Sequence, residues 1–435
     1  MITKLNFTDR TIKSYAIRKL TPKECFRLMG VRDNVIGTMQ SSNAQAAERL
    51  PDWKGKGKPE DMAISASQQY KQAGNSIVVD VLAHIYEQLF YPTPKPRKQK
   101  QLSLFDDLED TLPALPPTAA NKNEEKIFLT TFSGYDSQLM AADVLREWHP
   151  DFRWTCIGWS DIDKYACQMH NLVFPQFADC ALGDITKIDW HEVESSLEGR
   201  EVDLFTYSSP CQDISQAGKQ MGLQEGSDTR SALLWRVADA VEVLRPKYLL
   251  QENVAALVSQ KFMPDFQKWL DKLSSLGYVS RWTRLNAKNY GVPQNRDRVF
   301  CLSMRRDVAF DYQFPEPFEL KTRLEDVLEE EVSDRYFLKD DAVSKFLKAN
   351  DSDNALFIQF DLPPTHEAAM FLKTWLTLRM NTLNGWNMEL DELHDCIENE
   401  REVLNSDFAS FRECHTFPCE GFEELFKENM KRKKE

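Results

Sequence analysis

Between residues 127 and 305, short apolar runs of strand type alternate with helical patterns, and this alternation constrains the fold more than any other feature of the sequence. Strands separated by helices pair mainly in parallel, so the sequence predicts an α/β fold with a doubly wound, Rossmann-like sheet. Ligands of such sheets bind at the carboxyl ends of the strands. The five strand-type runs are IFLTTFS, WTCIGWS, DLFTYSS, KYLLQEN and RVFCLSM.

The pattern divides the chain into four segments. Residues 1–90 contain two helical patterns, TPKECFRLMG and SIVVDVLAHIYEQLF, and we expect helices that pack on the core without strands of their own. Residues 91–126 are rich in Pro, Lys and acidic residues without a regular period, which predicts a linker. Residues 127–320 form the predicted core, and the acidic residues 321–435 a small recognition or accessory region.

The composition fits a globular protein of the cytoplasm. Hydrophobic residues make up 42% of the 435 residues, and neither a secretory signal nor a membrane-spanning run is present. Nine cysteines without a framework spacing indicate a reducing compartment, in which one thiol can be catalytic. The net charge of −14 argues against a general nucleic-acid coat protein, although an acidic enzyme can bind DNA through a local basic cleft.

Small and acidic residues follow successive strands of the predicted core, where a nucleotide-like ligand would bind. The loop after the first strand contains Gly134, which lets backbone amides approach a ligand closely. Asp161 ends the second strand, where a carboxylate can accept hydrogen bonds from ribose hydroxyls, and Asp184 is placed to bind an adenine amino group. Taken alone, each acid is better explained as a helix N-cap or a solvated loop residue.

A second group of residues suits catalysis. Cys211 lies in SSPCQ directly after the strand DLFTY, on a turn that would expose its thiol to the cleft. Glu252 follows KYLLQ in the equivalent place and suits an acid/base role, with a buried, satisfied glutamate as the alternative. Arg296 and Arg298 would point the same way in an extended segment, as donors for a base or a phosphate.

Seven motifs, FSGYDS, the acid after the second strand, GDIT, SSPCQ, ENV, QNRDR and GNS, resemble the ordered set of the DNA cytosine-C5 methyltransferases of bacterial or phage type. The resemblance implies an enzyme of the EC 2.1.1.37 type, with double-stranded DNA as substrate and S-adenosyl-L-methionine as cofactor. It assigns catalysis to Cys211, Glu252, Arg296 and Arg298. It assigns cofactor binding to Phe132, Ser133, Gly134, Tyr135, Asp161, Ile162, Asp184, Ile185, Pro210, Leu233, Asn75 and Ser76.

The order of the motifs departs from the usual layout of the family. RKLTPKECFRLMG and GNSIVVDV resemble the family's last two motifs, yet they precede the first. Joining the final helix to the first strand through a linker would preserve the fold and move the termini, so we expect a circularly permuted member. Locally, Asp136 stands where many members have glycine, and Asp161 stands where glutamate is usual.

Further partners are suggested by features outside these motifs. One linker segment is similar to the peptide by which bacterial proteins dock on the replication sliding clamp: Gln101, Leu102, Ser103, Leu104 and Phe105. Packing of that segment on the enzyme explains it equally well. A cognate restriction endonuclease that acts on the same site without direct contact is a second candidate partner. No metal is expected, because unrelated free thiols explain Cys396, Cys414, His415 and Cys419 better than a zinc site does.

Two alternatives to DNA methylation stay open at this point. The same cysteine chemistry works on an RNA cytosine, which would keep the enzyme class and change the substrate. A binding protein tethered to DNA or to the clamp, with little turnover, would be of a different class.

Overall fold

The computed structural model describes residues 2–6, 11–15, 17–41, 64–92, 112–116, 124–210, 230–338, 355–360, 362, 365–383, 385–414, 417–419 and 421–431. The described strands are β1 (Ile2–Asn6), β2 (Thr11–Tyr15), β3 (Lys126–Thr131), β4 (Trp154–Ser160), β5 (Leu204–Tyr207), β6 (Tyr248–Val254), β7 (Tyr278–Asn286), β8 (Asp297–Arg305) and β9 (Ala355–Gln359). The described α-helices are α1 (Pro22–Arg27), α2 (Asp33–Gln40), α3 (Ala66–Asn75), α4 (Val79–Phe90), α5 (Ser137–Trp148), α6 (Lys164–Val173), α7 (Trp190–Ser196), α8 (Arg236–Leu244), α9 (Met263–Ser275), α10 (Leu324–Val327), α11 (His366–Thr382), α12 (Leu390–Asn399), α13 (Arg401–Cys414) and α14 (Phe422–Lys431).

The chain divides into two compact units. The larger unit is Pro22–Leu328, and the smaller unit combines Met1–Thr21 with Glu329–Glu435. Of the described helices, none is long and apolar enough to cross a membrane.

A mixed six-stranded sheet forms the centre of the larger unit. Its strand order is β4-β3-β5-β6-β8-β7, with parallel pairs from β4 to β6 and antiparallel pairs at β8 and β7. The five strands expected from the alternation are present, which confirms the α/β prediction. The sequence prediction missed β7, because its pattern is interrupted by charged residues. One of them, Arg281, is buried and pairs with Asp311 at 2.7 Å.

Helices cover both faces of this sheet. On one face, Phe128, Leu250 and Leu302 belong to a core that includes residues of α4, α5 and α6. On the other face, Leu129 and Leu249 pack with residues of α7, α8 and α9. The sheet is therefore doubly wound, as the alternation predicts.

The helical pattern before the linker forms α4, and its predicted apolar face is buried. The buried residues of that face are Ile77, Val81, Ile85 and Leu89. The helix packs against α5, and the buried Tyr312 hydroxyl donates to the Ile85 carbonyl at 3.2 Å. The described residues of the 22–41 and 64–91 segments thus contribute to the core of the larger unit.

The smaller unit has its own sheet and core. Its strand order is β2-β1-β9, antiparallel throughout, and Leu5 of β1 is fully buried in a cluster rich in phenylalanine from α11, α13 and α14. The expectation that residues 1–90 lack strands is wrong for β1 and β2. Both strands are only five residues long and mostly polar, so they lack the apolar run by which the other strands were found.

Candidate active site

One edge of the larger sheet gathers the polar residues singled out in the sequence. The parallel strands β3, β4, β5 and β6 end at this edge. Strand β8 is antiparallel to β6 and therefore begins there, with Val254 opposite Arg298. Residues from the end of β6 and the beginning of β8 are thus neighbours, although more than forty positions separate them in the chain.

Glu252 and Arg298 form an ion pair at this edge. Side chains alternate along a strand, so Glu252 shares a face with Val254 and is a diagonal neighbour of Arg298. The Arg298 Nε lies 3.1 Å from Glu252 Oε1. Only 8% of Glu252 is exposed, and burial raises the pKa of this carboxyl even though the charges of Arg298 and Arg296 oppose the shift.

The residue after this glutamate links β6 to the turn that follows β5. The Asn253 side-chain amide donates to the Ser209 carbonyl at 3.2 Å, and both residues are buried. Pro210, which comes next, is half-buried. Cys211 lies outside the described residues, but the turn that leads to it is held against the strand that carries Glu252.

Arg296 has a different environment from Arg298. Its Nη2 donates to the backbone carbonyls of Gly74 at 3.0 Å and Ser76 at 2.6 Å. Arg296 therefore holds the end of α3, where Asn75 is exposed and Ser76 half-buried. The two arginines therefore make different contacts: Arg298 pairs with Glu252, and Arg296 donates to carbonyls at the end of α3.

The loop after β3 has an unusual backbone. Phe132, Gly134 and Asp136 have φ values of 53°, 59° and 67°, in the left-handed region that favours glycine. The Gly134 N–H donates to Asp161 Oδ2 at 2.8 Å, and the buried Ser133 donates from its N–H to the Ser160 carbonyl at 3.1 Å. The end of β4 thus fixes the loop, including Tyr135, which is buried.

Asp161 lies at the end of β4, followed by an exposed apolar side chain. Its Oδ1 accepts from the Asp163 N–H at 2.8 Å. Burial raises the pKa of Asp161, although the hydrogen bonds from Asp163 and Gly134 act in the opposite direction. Ile162 is 75% exposed, which is unusual for an isoleucine and leaves an apolar surface beside the carboxylate.

Asp184 is the N-cap of the short 3₁₀ turn Ile185–Lys187. Its Oδ1 accepts from the Thr186 N–H at 3.0 Å and from the Thr186 hydroxyl at 2.8 Å. The backbone hydrogen bond from Thr186 holds the pKa of Asp184 below its usual range. Ile185 is buried beneath the turn. Of the remaining predicted cofactor residues, Leu233 is half-buried in the 3₁₀ turn Arg230–Trp235.

Two contacts near the loops after β3 and β4 were not anticipated from the sequence. Lys71 of α3 pairs with Asp163, the N-cap of α6, at 2.6 Å. Asp136 lies 3.4 Å from the buried His170 of α6. Neither pair has a local spacing signal, because the partners are 92 and 34 residues apart in the chain (163 − 71 and 170 − 136).

The groups around the loops after β3 and β4 suit a nucleoside, which has a flat ring and ribose hydroxyl groups. A Cβ added at Gly134 would meet no atom within 4 Å, so open space adjoins the loop. Asp161 offers a carboxylate acceptor beside the apolar Ile162. Within the described part of the chain, no group of three His, Cys, Asp or Glu side chains is placed to hold a metal ion.

The chain is similar to several known methyltransferases. It is 46% identical over 162 residues to the type II methyltransferase M2.ScrFI of Lactococcus lactis subsp. cremoris, covering 37% of this chain and 43% of the relative. It is 28% identical over 243 residues to the type II methyltransferase M.SsoII of Shigella sonnei, covering 55% and 58%. Each match spans less than two thirds of the relative's length. The solved structure of the Entamoeba histolytica methyltransferase EhMeth is 17% identical with a TM-score of 0.40, covering 51% of this chain and 65% of that chain.

A family model matches a larger part of the chain. The model described as C-5 cytosine-specific DNA methylase matches residues 2–91 and 140–400. The matched segments include the Gly74–Ser76 turn and the Glu252–Arg298 pair, and they make up more than half of the sequence. The chain belongs to the C-5 cytosine-specific DNA methylase family.

Proposed function

We propose that this protein transfers a methyl group from S-adenosylmethionine to carbon 5 of cytosine in double-stranded DNA. The observation that carries the proposal is the Glu252–Arg298 pair at the carboxyl edge of the sheet, next to the turn that leads to Cys211. A buried acid with a raised pKa, beside a fixed guanidinium, suits the edge of a pyrimidine that must accept a proton and a hydrogen bond.

The chain's own residues would prepare the cytosine for attack. The Cys211 thiolate adds to C6 of the ring, and a new C–S bond forms as the 5,6 double bond gives its electron pair to C5. Protonated Glu252 donates to N3 so that negative charge does not accumulate on the ring. Arg298 donates to the O2 side. The electron pair on C5 would form the bond to the methyl group. Loss of the C5 proton to a base would then re-form the 5,6 double bond, break the C–S bond and restore the Cys211 thiolate.

The cofactor would be held by the loops after β3 and β4. S-adenosylmethionine supplies an electrophilic methyl group on its sulfonium sulfur. Asp161 would accept hydrogen bonds from the ribose hydroxyls, Ile162 would contact the adenine ring, and Asp184 would bind its amino group. The pocket would be completed by Phe132, Ser133, Gly134, Tyr135, Ile185, Pro210, Leu233, Asn75 and Ser76.

Transfer of a tritiated methyl group tests this function. Duplex DNA and transfer RNA are offered as substrates, because a target base must be flipped out of a DNA helix whereas an RNA cytosine can already be unpaired. We expect transfer to DNA and none by the Cys211→Ser variant. Transfer to RNA alone would replace DNA by RNA as the substrate, and no transfer by the wild type would favour a binding protein.

The motif order is proposed to be circularly permuted. In support, α4 packs against α5, so the 91–126 segment connects neighbouring elements, and Lys126 at its end is the first residue of β3. The turn Gly74–Ser76 is bonded to Arg296, as expected if it belongs to the same site as the later motifs. A circular reconnection of the chain, described in the Discussion, tests the order.

The smaller unit is proposed to recognise the DNA sequence. It is a separate compact unit, and the register of its sheet pairs Lys4 with Lys13 and with Phe357. Phosphate contacts by lysine weaken with salt, so the Lys4→Glu/Lys13→Glu variant should bind DNA less tightly and with a shallower salt dependence. Its affinity for the cofactor should not change. Bisulfite mapping of DNA from cells that express the protein would identify the methylated sequence.

Docking on a sliding clamp is a further proposal, and it concerns residues outside the described part of the chain. The segment Gln101, Leu102, Ser103, Leu104 and Phe105 has three apolar residues from which the anchors for a groove can come. Clamp affinity should fall in the Gln101→Ala/Phe105→Ala variant, and equal binding would remove the proposal. We also propose that the protein acts in the bacterial cytoplasm, whether it is encoded by the bacterium or by a phage. A restriction endonuclease would act on the same DNA sequence without direct contact.

A further inference from the structure

A buried contact between Asp136 and His170 lies beneath the cofactor loop, and the mechanism above uses neither residue. The His170 Nε2 is 3.4 Å from Asp136 Oδ2, and both side chains are fully buried. Thr130 donates to the same carboxylate oxygen at 2.7 Å, and the Leu139 N–H donates to the other at 3.2 Å. The carboxylate is therefore held by β3, by the start of α5 and by α6.

His170 is itself fixed by β4. Its ring stacks on Trp159 with centroids 3.9 Å apart and an interplanar angle of 21°. The Trp159 Nε1 donates to the Phe177 carbonyl at 2.8 Å, which fixes the indole in turn. The Asp136–His170 contact thus connects the β3–α5 loop to the β4–α6 pair of elements.

The β3–α5 loop and the β4–α6 loop form the two sides of the proposed cofactor site. The β3–α5 loop contains Phe132 and Gly134, and the β4–α6 loop contains Asp161 and Ile162. The loops are joined by the part-buried hydrogen bond from the Gly134 N–H to Asp161. In the interior, the Asp136–His170 contact is a second connection between them.

The residue type at position 136 is informative because of its backbone conformation. Asp136 has φ 67° and ψ 58°, a left-handed region that costs most residues about 1–2 kcal/mol and that glycine, asparagine and aspartate enter more readily. An aspartate that tolerates this cost contributes a carboxylate in exchange, and here the carboxylate contacts Thr130, Leu139 and His170. Polar contacts of a carboxylate are stronger where water is excluded than they are in water.

We propose that Asp136 and His170 are a positioning pair that holds the two cofactor loops at the separation needed to bind S-adenosylmethionine. Neither residue touches the reacting atoms. The pair sets the affinity for the cofactor and leaves the rate of the chemical step at saturating cofactor unchanged. This inference rests on the proposed function.

The test compares three variants of the full chain with a matched control. Asp136→Gly keeps the left-handed backbone accessible and removes the carboxylate. His170→Phe keeps a ring to stack on Trp159 and removes Nε2. Asp136→Asn retains an N-cap and a residue that tolerates this backbone, so it is the conservative variant. His191→Phe is the control, since His191 is an exposed histidine on α7.

Calorimetry with S-adenosylhomocysteine and steady-state methyl transfer provide the measurements. We expect Asp136→Gly and His170→Phe each to raise Kd and the KM for S-adenosylmethionine by about tenfold, the effect of losing one buried polar contact. The kcat should stay close to that of the wild type, and Asp136→Asn should lie between. A fourth variant, Asp136→Gly/His170→Phe, should lose no more affinity than the more affected single variant, because the two residues act through one contact.

The outcomes are distinguishable. Unchanged affinity in folded Asp136→Gly or His170→Phe would overturn the proposal, as would a lower kcat with an unchanged KM. If those two variants do not fold, an unchanged affinity in Asp136→Asn would overturn it. Binding by the wild type without any methyl transfer would count against the proposed function and leave the positioning role standing. No binding by the wild type would reject both.

Discussion

Glu252, the proton donor of the proposed mechanism, is a buried carboxyl in a strand beside an arginine. Burial disfavours its charged form, and the neighbouring Arg298 partly offsets that effect. The net shift is upward, so the protonated acid persists to higher pH than in an exposed glutamate. At the residue scale, the sequence placed this side chain correctly at a strand end, but its pairing with Arg298 depends on the antiparallel register of β8.

Replacing this acid should reduce the rate and change the pH profile. Glu252→Gln keeps an N–H donor and loses the transferable proton, so we expect kcat to fall by about 10²- to 10⁴-fold. In the wild type, activity should decline as the pH rises through the raised pKa of Glu252, and this limb should be absent from the variant. Measurement of kcat/KM against pH tests both points. Glu192→Gln, at an exposed position on α7, is the control and should behave as the wild type.

The same shift affects stability, with a defined sign. A carboxyl whose pKa is higher in the folded than in the unfolded chain stabilises the fold when protonated. This contribution is present at low pH and is lost as the pH rises through the folded-state pKa. We expect the free energy of unfolding of the wild type, relative to Glu252→Gln, to decrease with rising pH in urea titrations. An increase would contradict the assigned direction of the shift.

At the scale of elements, turns and their fixed contacts determine which residues meet. Gly30 follows α1 with φ 75°, and a Cβ added there would lie 2.5 Å from Asp80 Oδ2. Gly37 lies within α2 and has no neighbouring atom within 4 Å of the added Cβ. The two glycines therefore make a matched pair.

Alanine at these positions should have opposite effects. Gly30→Ala adds left-handed strain of about 1–2 kcal/mol and a clash, and should lower the free energy of unfolding. Gly37→Ala should raise it by about 0.5–1 kcal/mol, because alanine loses less entropy in a helix. Urea unfolding of the two variants beside the wild type gives the comparison. Equal effects would show that backbone conformation does not decide the outcome.

The bonds from Arg296 to the Gly74–Ser76 turn suggest a prediction about the cofactor. A lysine cannot donate to both carbonyls with the fork geometry of a guanidinium, so Arg296→Lys should loosen the turn that carries Asn75 and Ser76. We expect the KM for S-adenosylmethionine to rise by about tenfold, the equivalent of one hydrogen bond to a charged group. Arg284→Lys, on the exposed side of β7, is the control. A fall in kcat alone would argue for direct contact of Arg296 with the base.

At the scale of the whole molecule, the sequence predicts the larger unit better than the smaller one. Buried parallel strands such as β3 are continuous apolar runs, which sequence periodicity detects. By contrast, β1 and β2 are short, and β1 pairs with β9, which lies more than 300 residues later. Pairing at that distance leaves no local pattern, so the sequence could not show that β1 and β2 belong to one unit with the C-terminal region.

If the chain is circularly permuted, it should tolerate a second permutation that moves its termini into the segment between α4 and β3. A rearranged chain would begin within residues 93–123, join residue 435 to residue 1 through a Gly/Ser linker, and end at residue 92. We expect its methyl transfer to remain within about tenfold of the wild type, a difference of about 1.4 kcal/mol. A chain opened in the middle of α9 is the control and should be inactive. Loss of activity in a folded rearranged chain would reject the permuted order.

Arg296 donates hydrogen bonds to Gly74 and Ser76, which precede it in the chain by 222 and 220 positions. During synthesis on the ribosome, the turn at residues 74–76 emerges long before the arginine that fixes it. The contact cannot form until residue 296 has left the exit tunnel, so every shorter nascent chain would lack this part of the proposed cofactor pocket. Under the proposed function, a chain could therefore act on DNA only after most of it has been made.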